Sequence, residues 1–431
     1  MTKTCLASRK IAARNIPGLA AGAAAFALLT AGSAQAAPAC EPGNGGITLP
    51  HGFCALVVAD NLGPARHAWA APNGDLYVAL RKTGQGSGGV VALHDSTGDG
   101  HFDVKVNFGE GSATGIGFYN GYLYVARTDS IVRYKMTPGQ LKPAGDPQTV
   151  VGGFDMARGH NDKALAFDGK GFLYVNIGSP SNSCQLNQGK IGGPGQDPCP
   201  VLDHHSGIWK FDANKMNQTV ADGTKLVTGM RQEPDLAWAY GAPYAVMNNR
   251  DEIDVLFPQY FTSEDNNEGP AEGMYRIDAG LNFGWPYCFF DYRQKKLLLS
   301  PEYGGDGKTQ GRCTQFSPPI VAFPAHWAPV DLTFYEGKQF PAKYRGGALI
   351  AFHGSWNRKP EERPGAIVFQ PFVNGKPSGK FEVFADGFSV TPVTDMSKYT
   401  GRPDGVAEAP DGSLYITDSV KGKVWRVFYR P

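Results

Sequence analysis

Arginine recurs in this chain beside short apolar stretches, and one histidine shares that setting. The positions are Arg66, Arg81, Arg127, Arg231, Arg250, Arg358 and Arg402, with His160. A guanidinium offers a planar fork that pairs with carboxylate or phosphate and can also stack on a flat ring. The whole chain has a formal charge of only +1. The concentration of arginine therefore predicts a local anion site, suited to a planar ligand with several carboxylates. The alternative is that each arginine pairs with a nearby acid such as Asp251, Asp404 or Asp418.

His160 can exchange a proton near neutral pH, and it shares the register of the arginines. It is the predicted general base. A lone histidine often has a structural role instead of a catalytic one. The same alternative applies to His326 and His353. Trp327 lies in the same setting and is predicted to form a wall of the site.

Two segments offer oxygen ligands for calcium. Asn248 and Asn249 precede Arg-Asp-Glu, and their backbone carbonyls are predicted to bind Ca²⁺. Asp95 to Asp103 resembles the front half of a calcium loop, but Val106 stands where the closing glutamate belongs. A tight Asp/Gly turn is the alternative for the second segment.

These residues flank a repeated phrase of glycine, leucine, tyrosine and valine. Its glycines are Gly74, Gly121, Gly171, Gly241, Gly346 and Gly412, spaced by 47 to 105 residues. A turn glycine followed by strand-forming residues, with another apolar stretch before it, predicts a β-hairpin. Six hairpins at this spacing predict an all-β fold, a six-bladed β-propeller with four-stranded antiparallel blades. The open ends of the hairpins, here called the mouth, should lie together on one face.

The two ends of the chain carry further signals. Basic residues, an apolar run from Leu19 to Leu29 and Ala34-Gln35-Ala36 predict a secretory signal over residues 1–36. Residues 37–431 are then expected to form a single catalytic propeller domain, periplasmic or secreted. No other stretch is long and apolar enough to predict a membrane span, and the near-neutral charge gives no indication of nucleic-acid binding. Residues 53–60 are expected to pair with the last blade around Leu414 to Ile416 and so close the ring.

The signal would remove Cys5 and leave six cysteines, an even number suited to disulfides in an exported protein. Fifteen pairings are possible. Sequence order favours three local pairs, 40 with 54, 184 with 199, and 288 with 313.

Several strings resemble the pyrroloquinoline quinone (PQQ) dependent sugar dehydrogenases, the soluble glucose dehydrogenase and L-sorbosone dehydrogenase group. The strings are Arg231-Gln-Glu-Pro-Asp-Leu-Ala-Trp238, Asn249-Arg-Asp-Glu-Ile253, Asn282-Phe-Gly-Trp-Pro286, Phe323-Pro-Ala-His-Trp-Ala-Pro329 and Phe352-His-Gly-Ser-Trp-Asn-Arg358. The resemblance covers nearly all of residues 37–431. It implies a six-bladed propeller that carries PQQ and Ca²⁺ on one face.

The resemblance also implies roles for individual residues. His160 matches the catalytic base, and Arg231 matches the arginine beside the quinone. Gln232 stands where soluble glucose dehydrogenases have asparagine. The remaining implied contacts are cofactor contacts from Arg66, Arg358 and Arg402 and calcium contacts from Asn248 and Asn249. Asp404 is an acid where a second arginine is expected, and it is predicted to be able to pair with Arg402.

The leading hypothesis is PQQ-dependent oxidation of an aldose, a sorbosone-like sugar aldehyde or a related carbohydrate, with electrons passing to an external acceptor. His160 would act as base and Ca²⁺ as Lewis acid. One alternative is a lactonase-type metal hydrolase, which predicts acids on the inner strands. Another is a noncatalytic propeller that binds carbohydrate or protein.

Overall fold

A computed structural model describes residues 38–84, 86, 88–155 and 159–431. The predicted signal segment, residues 1–36, lies outside these described residues. Within them the chain forms six four-stranded antiparallel sheets and two small two-stranded ones. The prediction of a six-bladed propeller with four-stranded antiparallel blades is confirmed.

The strands are numbered along the chain. They are β1 (Phe53–Ala59), β2 (Ala65–Ala70), β3 (Leu76–Leu80), β4 (Gly89–His94), β5 (Val104–Phe108), β6 (Ala113–Tyr119), β7 (Tyr122–Arg127), β8 (Ser130–Lys135), β9 (Gln148–Gly152), β10 (Leu165–Phe167), β11 (Phe172–Ile177), β12 (Gly207–Asp212), β13 (Thr224–Thr228), β14 (Gln232–Ala239), β15 (Ala242–Asn248), β16 (Glu272–Arg276), β17 (Cys288–Asp291), β18 (Lys296–Leu299), β19 (Val321–Phe323), β20 (Pro329–Phe334), β21 (Ala348–Phe352), β22 (Ala366–Gln370), β23 (Phe372–Val373), β24 (Lys376–Pro377), β25 (Glu382–Ala385), β26 (Pro403–Glu408), β27 (Leu414–Asp418) and β28 (Val424–Tyr429).

Each blade contains one of the repeated hairpins. The blades, from the inner strand outward, are β2-β3-β4-β5, β6-β7-β8-β9, β10-β11-β12-β13, β14-β15-β16-β19, β20-β21-β22-β25 and β26-β27-β28-β1. Asn120 and Gly121 both take positive φ, which is the conformation of the type I′ turn that suits a two-residue hairpin. The tyrosines of the phrase, such as Tyr124 and Tyr415, are buried between neighbouring blades.

The inner strands are bulged near the mouth. Strand pairing shifts register at the start of five inner strands, between Ala65 and Ala68, Ala113 and Ile116, Gln232 and Asp235, Pro329 and Asp331, and Pro403 and Gly405. A bulge re-aims the side chains around it. The side chains of adjacent residues, such as Arg66 and His67, can therefore point into different parts of the molecule.

Ring closure differs in one respect from the expectation. The stretch beginning at Phe53 does join the last blade, but β1 pairs with β28, with Phe53 opposite Tyr429. The predicted pairing with Leu414 to Ile416 is wrong, because β28 lies between β1 and β27. The blade thus combines both ends of the propeller chain.

The fourth blade carries two large insertions. They contain two short helices, α1 (Ile253–Leu256) and α2 (Ser263–Glu268), and the β17-β18 hairpin. Short 3₁₀ turns occur at Pro42–Gly46, Pro200–Asp203, Val220–Asp222, Pro301–Tyr303, Gly311–Gln315, Ala342–Tyr344 and Met396–Lys398. No helix in the described part of the chain is long and apolar enough to cross a membrane. All three predicted disulfides form, Cys40–Cys54, Cys184–Cys199 and Cys288–Cys313.

Candidate functional site

Asp251 is the centre of one network at the mouth. Its carboxylate accepts a hydrogen bond from Arg231 Nη2 at 2.6 Å and one from Asn357 Nδ2 at 3.0 Å. His326 Nδ1 lies 3.4 Å from the same carboxylate. Although burial opposes ionisation, Arg231 and His326 lower the pKa of Asp251 well below its usual range. Asp251 therefore stays ionised and holds three side chains in place.

The imidazole of His160 lies beside this network with a defined tautomer. Its Nδ1 is 2.9 Å from the carbonyl oxygen of Ser179. A carbonyl can only accept, so Nδ1 carries the hydrogen and Nε2 of the neutral ring has a lone pair. Burial, with Arg231 nearby, lowers the pKa of His160 to about 3. The ring is therefore neutral at neutral pH and can accept a proton at Nε2.

A second network surrounds Arg66. Its guanidinium donates to Asp404 Oδ2 at 2.7 Å and to Asp162 Oδ2 at 2.9 Å. Thr114 Oγ1 donates to the other oxygen of Asp162 at 3.2 Å. His353 Nε2 lies 3.3 Å from Asp404. Arg66 is thus buried and anchored by two acids from two other blades.

Arg402 is anchored differently from the expectation. Its Nε donates to the carbonyl oxygen of His353 at 2.8 Å, and its Nη2 donates to that of Gly354 at 2.7 Å. The guanidinium also stacks over Tyr399, with Cζ 4.5 Å from the ring centroid. The predicted pairing of Asp404 with Arg402 is wrong, since the hydrogen-bonded arginine partner of Asp404 is Arg66.

Two other arginines of the set are engaged away from these networks. Arg358 pairs with Glu268 and donates to the Ala325 carbonyl at 3.1 Å. Arg250 forms a buried fork with both oxygens of Glu302. The alternative in which arginines pair with nearby acids therefore holds for four of the seven arginines, Arg66, Arg231, Arg250 and Arg358.

The remaining predicted residues flank the first network. Trp327 packs under the Arg363 guanidinium, 4.5 Å from the ring centroid, and is half-buried. Gln232 begins β14 and lies opposite Asn248, which ends β15. The Asn249 side chain bonds to the Ala271 carbonyl and the Arg250 amide, so any calcium contact of Asn249 falls to its backbone carbonyl.

Several buried polar atoms at the mouth have no hydrogen-bond partner among the described residues. They are Nε of Arg66, Nε of Arg231, Oδ1 of Asn248, Oδ1 of Asn357 and Oδ1 of Asp404. A buried polar atom without a partner costs about 1–3 kcal/mol, so such atoms are satisfied by a ligand or by water. Two of these atoms are cationic donors, two are neutral amide oxygens and one is a carboxylate oxygen. The donor set therefore fits an anionic group held together with a cation.

Asp251 and Asp162 organise the site, but neither role was predicted from the sequence. Asp251 appeared only as a competing partner for arginine, and Asp162 was not singled out. Asn182, which exchanges hydrogen bonds with the Asp251 backbone at 2.9 Å, comes from a distant loop. The position of Asp162 two residues after His160 was the available signal.

The second predicted calcium segment, Asp95 to Asp103, forms a turn with internal hydrogen bonds. The Asp95 carboxylate accepts from the Gly98 and Gly100 amides at 2.6 and 2.7 Å.

Comparison with protein families gives one match over nearly the whole propeller. A family model described as TrAA12-like matches residues 47–430. A pyrroloquinoline quinone-dependent pyranose dehydrogenase of Coprinopsis cinerea is 28% identical over 274 residues, 54% of this chain and 36% of that protein. An uncharacterised protein of Borreliella burgdorferi is 34% identical over 148 residues, 34% of this chain and 36% of its own. The chain thus spans about a third of the length of these relatives.

Solved structures share the fold. The holo form of the pyranose dehydrogenase PQQ domain from Coprinopsis cinerea has a TM-score of 0.70 at 18% identity, covering 89% of this chain and 97% of that one. The calcium structure of a Trichoderma reesei family AA12 protein has a TM-score of 0.70 at 19% identity, covering 89% and 97%. The apo soluble aldose sugar dehydrogenase of Escherichia coli has a TM-score of 0.56 at 14% identity, covering 88% and 100%.

Proposed function

This chain belongs to the TrAA12-like family, and from that premise we propose that it is a PQQ-dependent dehydrogenase of sugars. The observation that carries the proposal is the state of His160. Its Nδ1 hydrogen is committed to the Ser179 carbonyl, and its Nε2 lone pair is left for a substrate proton. The relative that is named a pyranose dehydrogenase supports the same chemistry.

The proposed cofactor contacts follow from the unpartnered atoms at the mouth. Arg66 and Arg231 each have a buried Nε for a carboxylate oxygen. Arg402, Gln232 and Trp327 are proposed to complete the binding surface for the cofactor. Arg358 stays in this set, although reaching the cofactor would require it to leave Glu268.

The calcium site is proposed at the end of β15. Backbone carbonyls of Asn248 and Asn249 would bind Ca²⁺, a hard cation that prefers oxygen ligands. Asn248 Oδ1 is a further oxygen without a partner among the described residues. When bound, PQQ supplies a two-electron acceptor and Ca²⁺ polarises its carbonyl.

The residues of this chain then have separate tasks. His160 Nε2 removes the hydroxyl proton of the sugar, or of the hydrated aldehyde. Arg231 is held by Asp251, which keeps its guanidinium beside His160. The proposed substrate is an aldose, a sorbosone-like sugar aldehyde or a related carbohydrate, and the electrons leave to an external acceptor.

The test is reconstitution of the purified chain with PQQ and CaCl₂, followed by reduction of an artificial acceptor. We expect turnover with at least one aldose, sorbosone or alditol, dependent on both additions. No turnover across that panel would contradict the proposal.

One observation favours a second function. The lactonase-type hydrolase predicts acids on the inner strands, and Asp235, Asp331 and Asp404 are there. Lactone hydrolysis that requires a divalent metal and ignores PQQ would identify that activity.

Residues 1–36 are proposed to be a secretory signal, and residues 37–431 a single catalytic domain that acts in the periplasm or outside the cell. The three disulfides support an oxidising compartment. N-terminal sequencing of the exported protein should find Ala37 first. A mature chain that retains Met1 would contradict the signal.

A further inference from the structure

The channel inside the inner strands contains a buried group of one histidine and two acids. His67 comes from the first blade, Asp235 from the fourth and Asp331 from the fifth. One ligand atom from each lies within 4.8 Å of the others. All three side chains are buried.

The histidine presents a lone pair to the acids if its ring is neutral. His67 Nε2 is 2.8 Å from the carbonyl oxygen of Val330, so Nε2 must carry a hydrogen. The opposite ring atom, Nδ1, lies 3.4 Å from Asp235 Oδ1 and 4.0 Å from Asp331 Oδ1. A histidine that binds metal typically donates its other N–H to a carbonyl or carboxylate in this way.

The two carboxylates are held with one oxygen each facing His67. Asp235 Oδ2 accepts from the Leu332 amide at 2.9 Å, and Asp331 Oδ2 accepts from the Val406 amide at 2.7 Å. Both Oδ1 atoms therefore face the imidazole. These contacts also tie each acid to the next blade, so the arrangement is set by the framework of the propeller.

The separations suit an ion better than direct hydrogen bonds. The two distances from Nδ1, 3.4 and 4.0 Å, exceed the roughly 2.7–3.2 Å of an N–H···O bond. Two ligands that share an ion at about 2.0–2.2 Å can be as far apart as about 4.4 Å. Both distances fall within that limit.

Charge balance also favours a divalent cation. Two ionised buried carboxylates beside a neutral imidazole carry two net negative charges, which one divalent cation would neutralise. The nearby guanidinium of Arg66 is already bonded to Asp404 and Asp162.

The site has room for further ligands. A cavity of about 240 Å³ includes the three residues and continues past Trp69, Thr333 and Glu408. These are later residues of the same inner strands, so the cavity runs away from the mouth. Water could complete the coordination there, and an ion could enter from the face opposite His160.

We propose that His67, Asp235 and Asp331 bind one divalent first-row transition metal ion, which links three blades across the central channel. An imidazole nitrogen with two carboxylates favours ions such as Zn²⁺ or Mn²⁺ over Ca²⁺. The site is separate from the calcium proposed at Asn248 and Asn249 and does not depend on PQQ.

The experiment is a metal-binding measurement on the purified chain. After treatment with a chelator, the protein is loaded with ZnCl₂ or MnCl₂ in the presence of excess CaCl₂, desalted and analysed for bound metal by mass spectrometry. We expect one equivalent of transition metal per chain and a higher unfolding temperature. Asp331→Asn should weaken binding by at least the roughly 10- to 100-fold that loss of a supporting partner costs.

Glu233→Gln is the matched control. Glu233 is another fully buried acid of an inner strand, but it lies outside the metal triad of His67, Asp235 and Asp331. The control should bind metal as the parent does. Failure of the parent to retain Zn²⁺ or Mn²⁺ would overturn the proposal, as would equal retention by parent and Asp331→Asn.

Crystals grown with ZnCl₂ provide a readout that does not require the variant to fold. Anomalous diffraction should show a peak between His67 Nδ1 and the two Oδ1 atoms. Absence of that peak would overturn the proposal.

Discussion

Three buried or partly buried histidines share one hydrogen-bonding arrangement with the backbone but face different surroundings. His67, His160 and His326 each have one ring nitrogen within 2.9 Å of a backbone carbonyl. Each carbonyl requires a hydrogen on the ring nitrogen that faces it, and the other ring nitrogen faces the functional surroundings. For His326 those surroundings are Asp251, for His67 two acids, and for His160 the mouth. The backbone carbonyl thereby fixes the orientation of each ring and which nitrogen faces those surroundings.

His160→Ala tests the assignment of the base. Loss of a positioned general base typically lowers the rate by about 10²- to 10⁴-fold, and we expect a fall in kcat of that order. Binding of PQQ should persist, because the cofactor contacts come from the arginines. Steady-state kinetics and a PQQ titration on the same preparation measure the two effects.

His204→Ala is the control for that variant. His204 is exposed and lies in the loop between β11 and β12, so its removal should leave kcat unchanged. A His160→Ala enzyme with its full rate would exclude the base assignment while leaving the cofactor proposal intact.

Glu233 predicts a pH dependence of stability. Burial raises the pKa of Glu233 to about 8 from 4.5, and neither of its oxygens has a hydrogen-bond partner among the described residues. The folded state therefore holds a proton that the unfolded state releases near pH 4.5. The resulting stabilisation is complete below pH 4.5 and is lost as pH rises through 8, a difference of about 5 kcal/mol.

Glu233→Gln removes this dependence, because the amide resembles the neutral acid and does not ionise. The free energies of unfolding of parent and variant should be similar at pH 5, and the variant should be more stable at pH 9. Denaturant unfolding at the two pH values measures the difference. Parallel pH dependence in both proteins would show that Glu233 is ionised in the folded state.

At the scale of strands, the hairpins were predictable and the bulges were not. The phrase around Gly121 combines a turn residue with alternating strand formers, which are local signals. A bulge depends on the pairing partner, so the one-residue shift between Ala65 and Ala68 has no clear local signature. That shift places Arg66 in the mouth network and His67 in the channel. The metal triad was therefore not predicted, although its residues are polar positions in otherwise apolar strands.

The weakest copy of the phrase shows how distant contacts replace a local signal. Tyr240 takes a positive φ of 49° before Gly241, where asparagine would be the favoured residue. Its hydroxyl donates to the Gly346 carbonyl at 2.7 Å, and its ring stacks on Phe372. Contacts with the fifth blade hold a turn that its own sequence does not favour.

Phe53→Ala tests ring closure by β1. Phe53 packs edge-on against Phe340, Tyr344 and Phe384, with centroids 4.8 to 5.4 Å apart. Removing a buried phenyl ring costs about 3–5 kcal/mol, and we expect that loss in the free energy of unfolding. Phe118→Ala, at a position 37% exposed, should cost much less. Equal losses in the free energy of unfolding would indicate that packing of Phe53 in β1 does not stabilise ring closure.

At the scale of the whole molecule, blade spacing correctly predicted that chemistry-bearing residues meet on one face. It did not predict how they pair. Arg66 and Arg231 are held by acids from other blades or later loops, and these partners lie 20 to 338 residues away in sequence. Arg250 and Arg358 pair outside the two mouth networks. Arginine count alone therefore overstates the positive charge available to a ligand.

The absorption spectrum of the purified chain titrated with PQQ in the presence of CaCl₂ tests the central claim most directly. The mouth networks predict saturation at one PQQ per chain, with binding weakened in Arg231→Ala and retained in His160→Ala. A spectrum that shows only free PQQ at every ratio would contradict the assignment of this mouth as a PQQ site.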